Sequence, residues 1–269
     1  PLPSPLHPRT PVARAPRHPA RAAGRPMPLA VVTGANTGIG FHTAGQLAAK
    51  GYDVVCACRD AKRGKEAVIS LRDWYGSGLS AEFRELNLAS FASVQAFAAG
   101  LAARHSRLDL LVCNAGVNSA SVPQEPEAQL TEDGVDLLYQ TNFLSHLLLV
   151  LLLMPLLRAA LGRVVNVTSV VHRSADPAHF GLTRSVREPY VSLYGLSKLA
   201  QIAATGELHR RFHRHRVSFH CVNPGGVASN IWRDYPAWKQ LLGRAVLADS
   251  ETAARTVTAA AETWEGRSL

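Results

Sequence analysis

"LAVVTGANTGIG", residues 29–40, joins an apolar run to a turn holding three glycines. Leu29–Val32 is unbroken by a polar residue, the pattern of a strand covered on both faces. Gly34, Gly38 and Gly40 then permit a tight turn and a close backbone approach where a helix begins. A strand feeding a glycine turn that opens a helix is the arrangement that seats a pyrophosphate on the helix N-terminus. The candidate cradle therefore comprises Gly34, Asn36, Thr37, Gly38, Ile39 and Gly40. A turn whose glycines serve backbone geometry alone is the alternative.

Outward from that turn, strand-like and helix-like segments alternate. A helix over Gly38–Lys50 is followed by the strand "DVVCAC" and a charged helix over Ala61–Tyr75. "AEFREL" precedes a helix over residues 90–104, and "LDLLVC" precedes a long one over 131–160. "GRVVNVT" leads through a loop to a helix containing Tyr194, and "VSFHCV" closes the series. Continuous apolar strands alternating with helices predict an α/β fold, a single doubly wound, mostly parallel sheet of Rossmann type with helices on both faces. No internal repeat and no linker follows residue 28, so residues 29–269 read as one domain.

The first 28 residues differ from the rest. They hold nine of the sixteen prolines, five arginines (Arg9, Arg14, Arg17, Arg21, Arg25) and no acid. That density of proline leaves no helical or strand period, so the segment reads as a disordered tail. An organelle transit peptide and a non-native leader, with Met27 just before the first strand, are the two readings of it. Five of the nine excess positive charges sit in this tail, and a body of charge +4 does not ask for a nucleic-acid partner. Cys56, Cys58, Cys113 and Cys221 lie in strand-like runs and read as buried thiols of a reducing compartment. The expected location is intracellular: cytoplasm, or a plastid if the tail is a transit peptide. The apolar run "LLLVLLLMPLL", residues 147–157, is short of the roughly 20 residues that cross a bilayer, and a buried helix is expected there.

The end of the second strand bears on the ligand. A dinucleotide without a 2′-phosphate calls for a carboxylate about twenty residues past the glycines. Here Cys58 is followed by Arg59, with Lys62 and Arg63 beyond. A guanidinium can pair bidentately with a 2′-phosphate, which favours NADP(H). Asp60 lies past the strand end, and a solvated loop charge is the other reading of Arg59.

"LYGLSKLAQ", residues 193–201, sets Tyr194 and Lys198 four apart, on one face of a helix. A free phenol has a pKa of about 10 and is roughly 0.1% ionised at neutral pH. An ammonium one turn away favours the phenolate and makes the pair a proton-transfer device. Two stray polar residues on a surface helix are the bland alternative. His209 and His213 are spaced for a metal, but interleaved arginines would repel a cation, so no metal is expected.

Taken together these residues resemble the short-chain dehydrogenase/reductase family, from about Leu29 to the C-terminus. "TGANTGIG" matches its cofactor loop, and "CNAG" with Asn114, Ala115 and Gly116 its NAG element. Asn142 in "QTNFLSH", Ser169 ending "VVNVTS" and Tyr194-x-x-x-Lys198 match its catalytic set. "NPGGVAS", with Pro224, Gly225, Val227 and Ser229, matches the turn bordering the nicotinamide. The resemblance implies NADP(H)-dependent interconversion of a carbonyl and an alcohol. Tyr194 would be the acid/base and Lys198 would reach a ribose hydroxyl. Ser169 would hydrogen-bond the substrate oxygen, and Asn142 would hold a water linking Lys198 to solvent. Asn87 stands where many members carry an aspartate against the adenine, and Leu88 follows it.

The 25 residues from Ser169 to Tyr194 and the stretch "ACRDAKRGKEAV" are similar to the retinol dehydrogenase-like and protochlorophyllide reductase-like branch. Gly226 stands where light-dependent protochlorophyllide reductases carry a cysteine. Trp232, Tyr235 and Trp238 in "VASNIWRDYPAWKQLLG" would form a lid suited to a small lipophilic substrate such as a retinoid, steroid or long-chain aldehyde. Packing of those aromatics on the core or on a second subunit is the alternative. Light-driven pigment reduction and a non-catalytic NADP-sensing scaffold are the competing functions. A homodimer and peripheral membrane contact through the lid are compatible with the sequence. The family usually adds one more strand after a helix such as "SETAARTVTAAAETW", so a shortened C-terminus is expected.

Overall fold

The computed structural model describes residues 27–118, 122, 129–180, 193–225 and 248–262. Most of the N-terminal tail, Val227, Ser229 and the aromatic segment with Trp232, Tyr235 and Trp238 lie outside the described residues. Among the described residues six strands form one sheet: β1 Leu29–Thr33, β2 Asp53–Cys58, β3 Ala81–Glu85, β4 Leu110–Cys113, β5 Arg163–Val167 and β6 Ser218–Val222. All pairs are parallel and the order is β3-β2-β1-β4-β5-β6. The strand order reverses between β1 and β4, where Val31 pairs with Val55 on one side and Leu111 on the other. A ligand crevice belongs at the carboxyl ends of the strands at such a reversal.

Alternate strand residues supply two separate cores, so the continuous apolar runs are explained by cover on both faces. Val31, Val55, Leu111 and Val164 pack under α3 (Phe91–Ala102) and α5 (Ser145–Ala160), counting α4 as the single turn Leu137–Tyr139. Val32, Val54, Val112 and Val165 pack on the opposite side, beneath α1 (Gly38–Ala49) and α2 (Ala61–Tyr75). There α1 lies against α7 (Ser250–Glu262), which contributes Val257 and Ala261. The helix carrying Tyr194 is α6, Leu193–Phe212, on the α5 side. Among the described strands the two edges, β3 and β6, interrupt the apolar run with polar residues. As sheet edges both are only partly covered, and β3 carries an Arg84–Glu82 ion pair.

Three expectations need correction. The helix expected over 131–160 starts at Leu137, because Thr131–Val135 closes a turn and Asp136 caps the helix by accepting from Leu138 and Tyr139 N–H at 2.9 and 3.0 Å. After the opening turn Leu137–Tyr139, Gln140–Leu144 is a π-turn. The combined helix Leu137–Ala160 runs 24 residues at a mean hydropathy of 2.0, long and apolar enough to cross a bilayer. In the fold it is a core helix, burying Leu149, Leu153, Met154 and Leu157 against the sheet. Cys56, Cys58 and Cys113 are buried thiols as expected, but Cys221 is exposed, since β6 borders the sheet.

Candidate active site

The glycine turn leaves β1 at its carboxyl end, beside the reversal point. Gly34 sits at φ +66°, and a side chain there would meet the Ala115 backbone at 3.0 Å. A side chain on Gly40 would begin 2.4 Å from both the Gly34 carbonyl oxygen and Asn114 Nδ2. The turn, the β4 loop and the start of α1 are thus in direct contact, and only glycine fits between them. The first turn of α1 has no side-chain cap from Thr37 and no acidic residue. Its leading N–H groups, from Gly38, Ile39 and Gly40, are therefore oriented to receive an anion. A pyrophosphate fits this end of the cradle.

Beyond β2, Arg59 is exposed while Asp60 caps α2, accepting from Arg63 N–H at 2.9 Å and pairing with the Arg63 guanidinium at 3.2 Å. Its carboxyl is held low first by the Arg63 backbone N–H. Asp60 is engaged in helix capping, which leaves Arg59 as the side chain at the strand end. Asn87 accepts from Ala89 N–H at 3.1 Å through its side-chain oxygen and donates its own N–H to Ser93. One lone pair on that oxygen stays available. The Leu88 carbonyl anchors Ser145 of α5 through a 2.6 Å hydrogen bond.

Thr33 closes β1 against the β4 loop. Its hydroxyl oxygen accepts from Asn114 N–H at 2.9 Å and Ala115 N–H at 3.0 Å, and Asn114 Nδ2 donates back to the Thr33 carbonyl at 2.9 Å. Two residues on, Val117 is bound twice by Asn142, whose Oδ1 accepts its N–H at 2.8 Å and whose Nδ2 donates to its carbonyl at 2.9 Å. Asn142 projects from the π-turn, a bulge that recurs at functional sites. A further bond from Nδ2 reaches Ser197 Oγ on α6 at 3.2 Å, and Ser197 donates to the Tyr194 carbonyl at 2.8 Å.

Lys198 is fully enclosed at this junction. Its ammonium donates to the Val167 carbonyl at 2.9 Å and to Gln201 Oε1 at 3.0 Å, and lies 5.8 Å from the centre of the Tyr194 ring. Burial holds its pKa down to about 8, with Cys113 and Cys221 pulling weakly the other way. A Gly116 side chain would begin 3.2 Å from Asn142 Oδ1 and 3.8 Å from Lys198 Nζ, so this glycine separates the two. Ser169 follows β5 and opens a short 3-10 turn, Val170–Ser174, that packs on α6. Its hydroxyl accepts from Val171 N–H at 3.4 Å, a weak contact that leaves the group adjustable. Pro224 and Gly225 follow β6, with Gly225 N–H on the Asn223 side chain at 3.2 Å.

Asn142, Ser197, Tyr194 and Lys198 are thus joined by contacts around the β4 loop, with Ser169 on the turn against the same helix. Their arrangement follows Tyr-x-x-x-Lys on α6, a glycine cradle after β1 and an NAG loop after β4. The chain belongs to the short-chain dehydrogenase family. The family's sequence pattern matches residues 28–240. The chain is 38% identical over 216 residues to the WW domain-containing oxidoreductase of Gallus gallus, covering 76% of this chain and 50% of that protein. It is 37% identical over 210 residues to human retinol dehydrogenase 12, covering 77% and 64%. The branch is therefore the retinol dehydrogenase-like one. The chain spans about half to two thirds of the length of these relatives. A short-chain dehydrogenase from Sphingobium yanoikuyae in complex with NADPH shares the fold at a TM-score of 0.68 and 23% identity, covering 87% of this chain and 83% of that one.

Thr33, Ser197, Gln201 and His146 are the residues of the site that sequence reasoning missed. Serine, threonine and glutamine scattered through apolar strands and helices carry no distinguishing pattern. His146 does, as the one ionisable residue in "SHLLLVLLLM".

Proposed function

We propose that this short-chain dehydrogenase is an NADP(H)-dependent oxidoreductase interconverting a carbonyl and an alcohol on a lipophilic substrate. The observation that carries the proposal is the buried Lys198 ammonium, fixed by two acceptors one helical turn past Tyr194. When bound, the cofactor supplies or takes the hydride at the carbonyl carbon. In the reducing direction the Tyr194 hydroxyl donates its proton to the carbonyl oxygen, leaving an alcohol and a phenolate. The Lys198 ammonium stabilises that phenolate, and Ser169 donates a hydrogen bond to the oxygen as charge develops on it. Preference for NADP(H) is supported by the exposed Arg59 and by the engagement of Asp60 in helix capping. The likeness to retinol dehydrogenase 12 supports a retinoid within the expected class of retinoid, steroid or long-chain aldehyde substrates.

The test follows absorbance at 340 nm with NADPH and a panel of retinal, steroid ketones, quinones and long-chain aldehydes. The wild type is expected to oxidise NADPH with at least one carbonyl, and Tyr194→Phe to lose roughly 10²–10⁴-fold in kcat. Saturable NADPH binding without turnover on any carbonyl would favour a sensing scaffold over a reductase.

A further inference from the structure

His146 is 2% exposed on α5, one turn beyond Asn142. Its Nε2 lies 2.9 Å from Thr33 Oγ1, and its Nδ1 lies 3.0 Å from the Asn142 backbone carbonyl oxygen. These two contacts determine where the imidazole proton sits. A carbonyl oxygen only accepts, so Nδ1 carries a hydrogen. Thr33 Oγ1 already accepts the N–H groups of Asn114 and Ala115, which fills both of its lone pairs. Its own hydrogen is therefore the one shared with His146, and Nε2 accepts it. The competing acceptor, the Val112 carbonyl, is farther away at 3.4 Å. The ring is neutral and carries its hydrogen on Nδ1. Burial favours the same state, pushing its pKa down to about 4, against a smaller upward pull from the Asn142 carbonyl and with the Lys198 charge adding to the depression.

The imidazole thereby completes a line of hydrogen bonds. It runs from Thr33, where the glycine turn begins, through His146 to Asn142, and from the Asn142 side chain through Ser197 to the Tyr194 carbonyl. The bond to the Asn142 carbonyl falls inside the π-turn, where the regular helical ladder is widened. We propose that His146 is a positioning residue, bridging Thr33 and the Asn142 carbonyl so that the cofactor cradle and the Tyr194–Lys198 helix hold one alignment. This rests on the reductase reading for its kinetic consequence and on hydrogen-bond geometry for its structural one. A misplacement of about 1 Å between reacting groups costs on the order of 100-fold in rate, and His146 touches no substrate.

Two measurements test it. In protein labelled with ¹⁵N at histidine, the His146 signals, assigned by their loss in His146→Gln, should report a neutral ring with hydrogen on Nδ1 at about pH 7. The kinetic arm compares His146→Leu, His146→Gln and His146→Asn, the last placing an amide N–H close to the position of Nδ1. His146→Leu is expected to lose roughly 10–100-fold in kcat while KM for the carbonyl stays unchanged, with His146→Asn recovering part of the loss. If His146→Leu fails to fold, the same split between kcat and KM is read from His146→Gln. A cationic ring, hydrogen on Nε2, or wild-type kcat in a folded His146→Leu would overturn the proposal. A wild type that reduces no carbonyl sinks the reductase reading instead, and the nitrogen spectrum, which needs no turnover, still decides whether the ring bridges Thr33 and Asn142.

Discussion

Replacing Lys198 by methionine keeps an unbranched side chain of similar length and removes the buried charge. Burial holds the Lys198 pKa at about 8 in the folded chain, against 10.5 ordinarily. Below about pH 8 both the folded and unfolded chains hold the proton, and the fold bears the full cost of the buried ammonium. As pH rises from there towards 10.5 the unfolded chain binds more protons than the folded one, so stability rises with pH. Between about pH 7 and about pH 9.5 the wild type should gain about 2 kcal/mol from this one group. Other groups titrate over the same range with the opposite sign. Burial pushes the Cys56 thiol up to about 12 and the Cys58 thiol up to about 11, so the fold loses stability as unfolded thiols ionise. Both proteins contain these two thiols, so their contribution cancels from the difference between them. The assay is urea unfolding of wild type and Lys198→Met at the two pH values, comparing the gap in unfolding free energy. The two lost hydrogen bonds shift that gap by a constant and do not alter its slope. A gap that stays flat, or moves against the wild type as pH rises, would refute a lysine buried at a cost.

Three further outcomes are expected. Arg59→Ala should weaken NADPH binding roughly 10–100-fold, as befits one charged hydrogen-bonding group, while NADH binding changes little; fluorescence titration with both nucleotides reads this, and equal losses would remove Arg59 from the 2′-phosphate. Gly40→Ala, whose new methyl would start 2.4 Å from the Gly34 carbonyl oxygen, should cost roughly 1–3 kcal/mol by overpacking, and an unchanged urea midpoint would contradict that contact. Leu161 ends α5 at φ +53° and is 50% exposed. Leu161→Gly should stabilise by about 0.5–1 kcal/mol, relief of left-handed strain exceeding the entropy of glycine, and calorimetry showing a lower Tm would count against it.

The parts of this site that could be read in the sequence are those where one residue type alone is tolerated. Gly34 and Gly40 are legible because their surroundings exclude any side chain. Tyr194 and Lys198 are legible because their spacing coincides with the glycine turn, the "CNAG" stretch and Ser169 in one chain, where the pair alone would pass for stray polar residues on a helix. Parallel strands buried on both faces leave long apolar runs, so β1, β2, β4 and β5 stand out, whereas the half-covered edges β3 and β6 are legible from their place in the alternation with helices. The π-turn at Gln140–Leu144 left no mark, since its widening is imposed by what surrounds it, including the bonds from Asn142 to the β4 loop. Nor did Ser197 or Gln201, whose side chains acquire a role only when α6 lies against Asn142 and β5. The early start expected for the long helix overlooked the turn at Thr131–Val135 and its Asp133, which accepts from Phe91 N–H across the chain.

The central position of β1 has a consequence during synthesis. Its first neighbour, β2, follows within one helix, but its second edge waits for β4: Leu29 N–H is bound by the carboxylate of Asp109, 80 residues later. At roughly 5–20 residues per second the ribosome needs roughly 4–16 s to deliver that partner. Through that interval the most apolar strand of the nascent chain carries an open hydrogen-bonding edge, a template for pairing with other chains. Yield in the cell will then be governed by how well "LAVVT" is shielded on the ribosome as much as by the stability of the finished sheet.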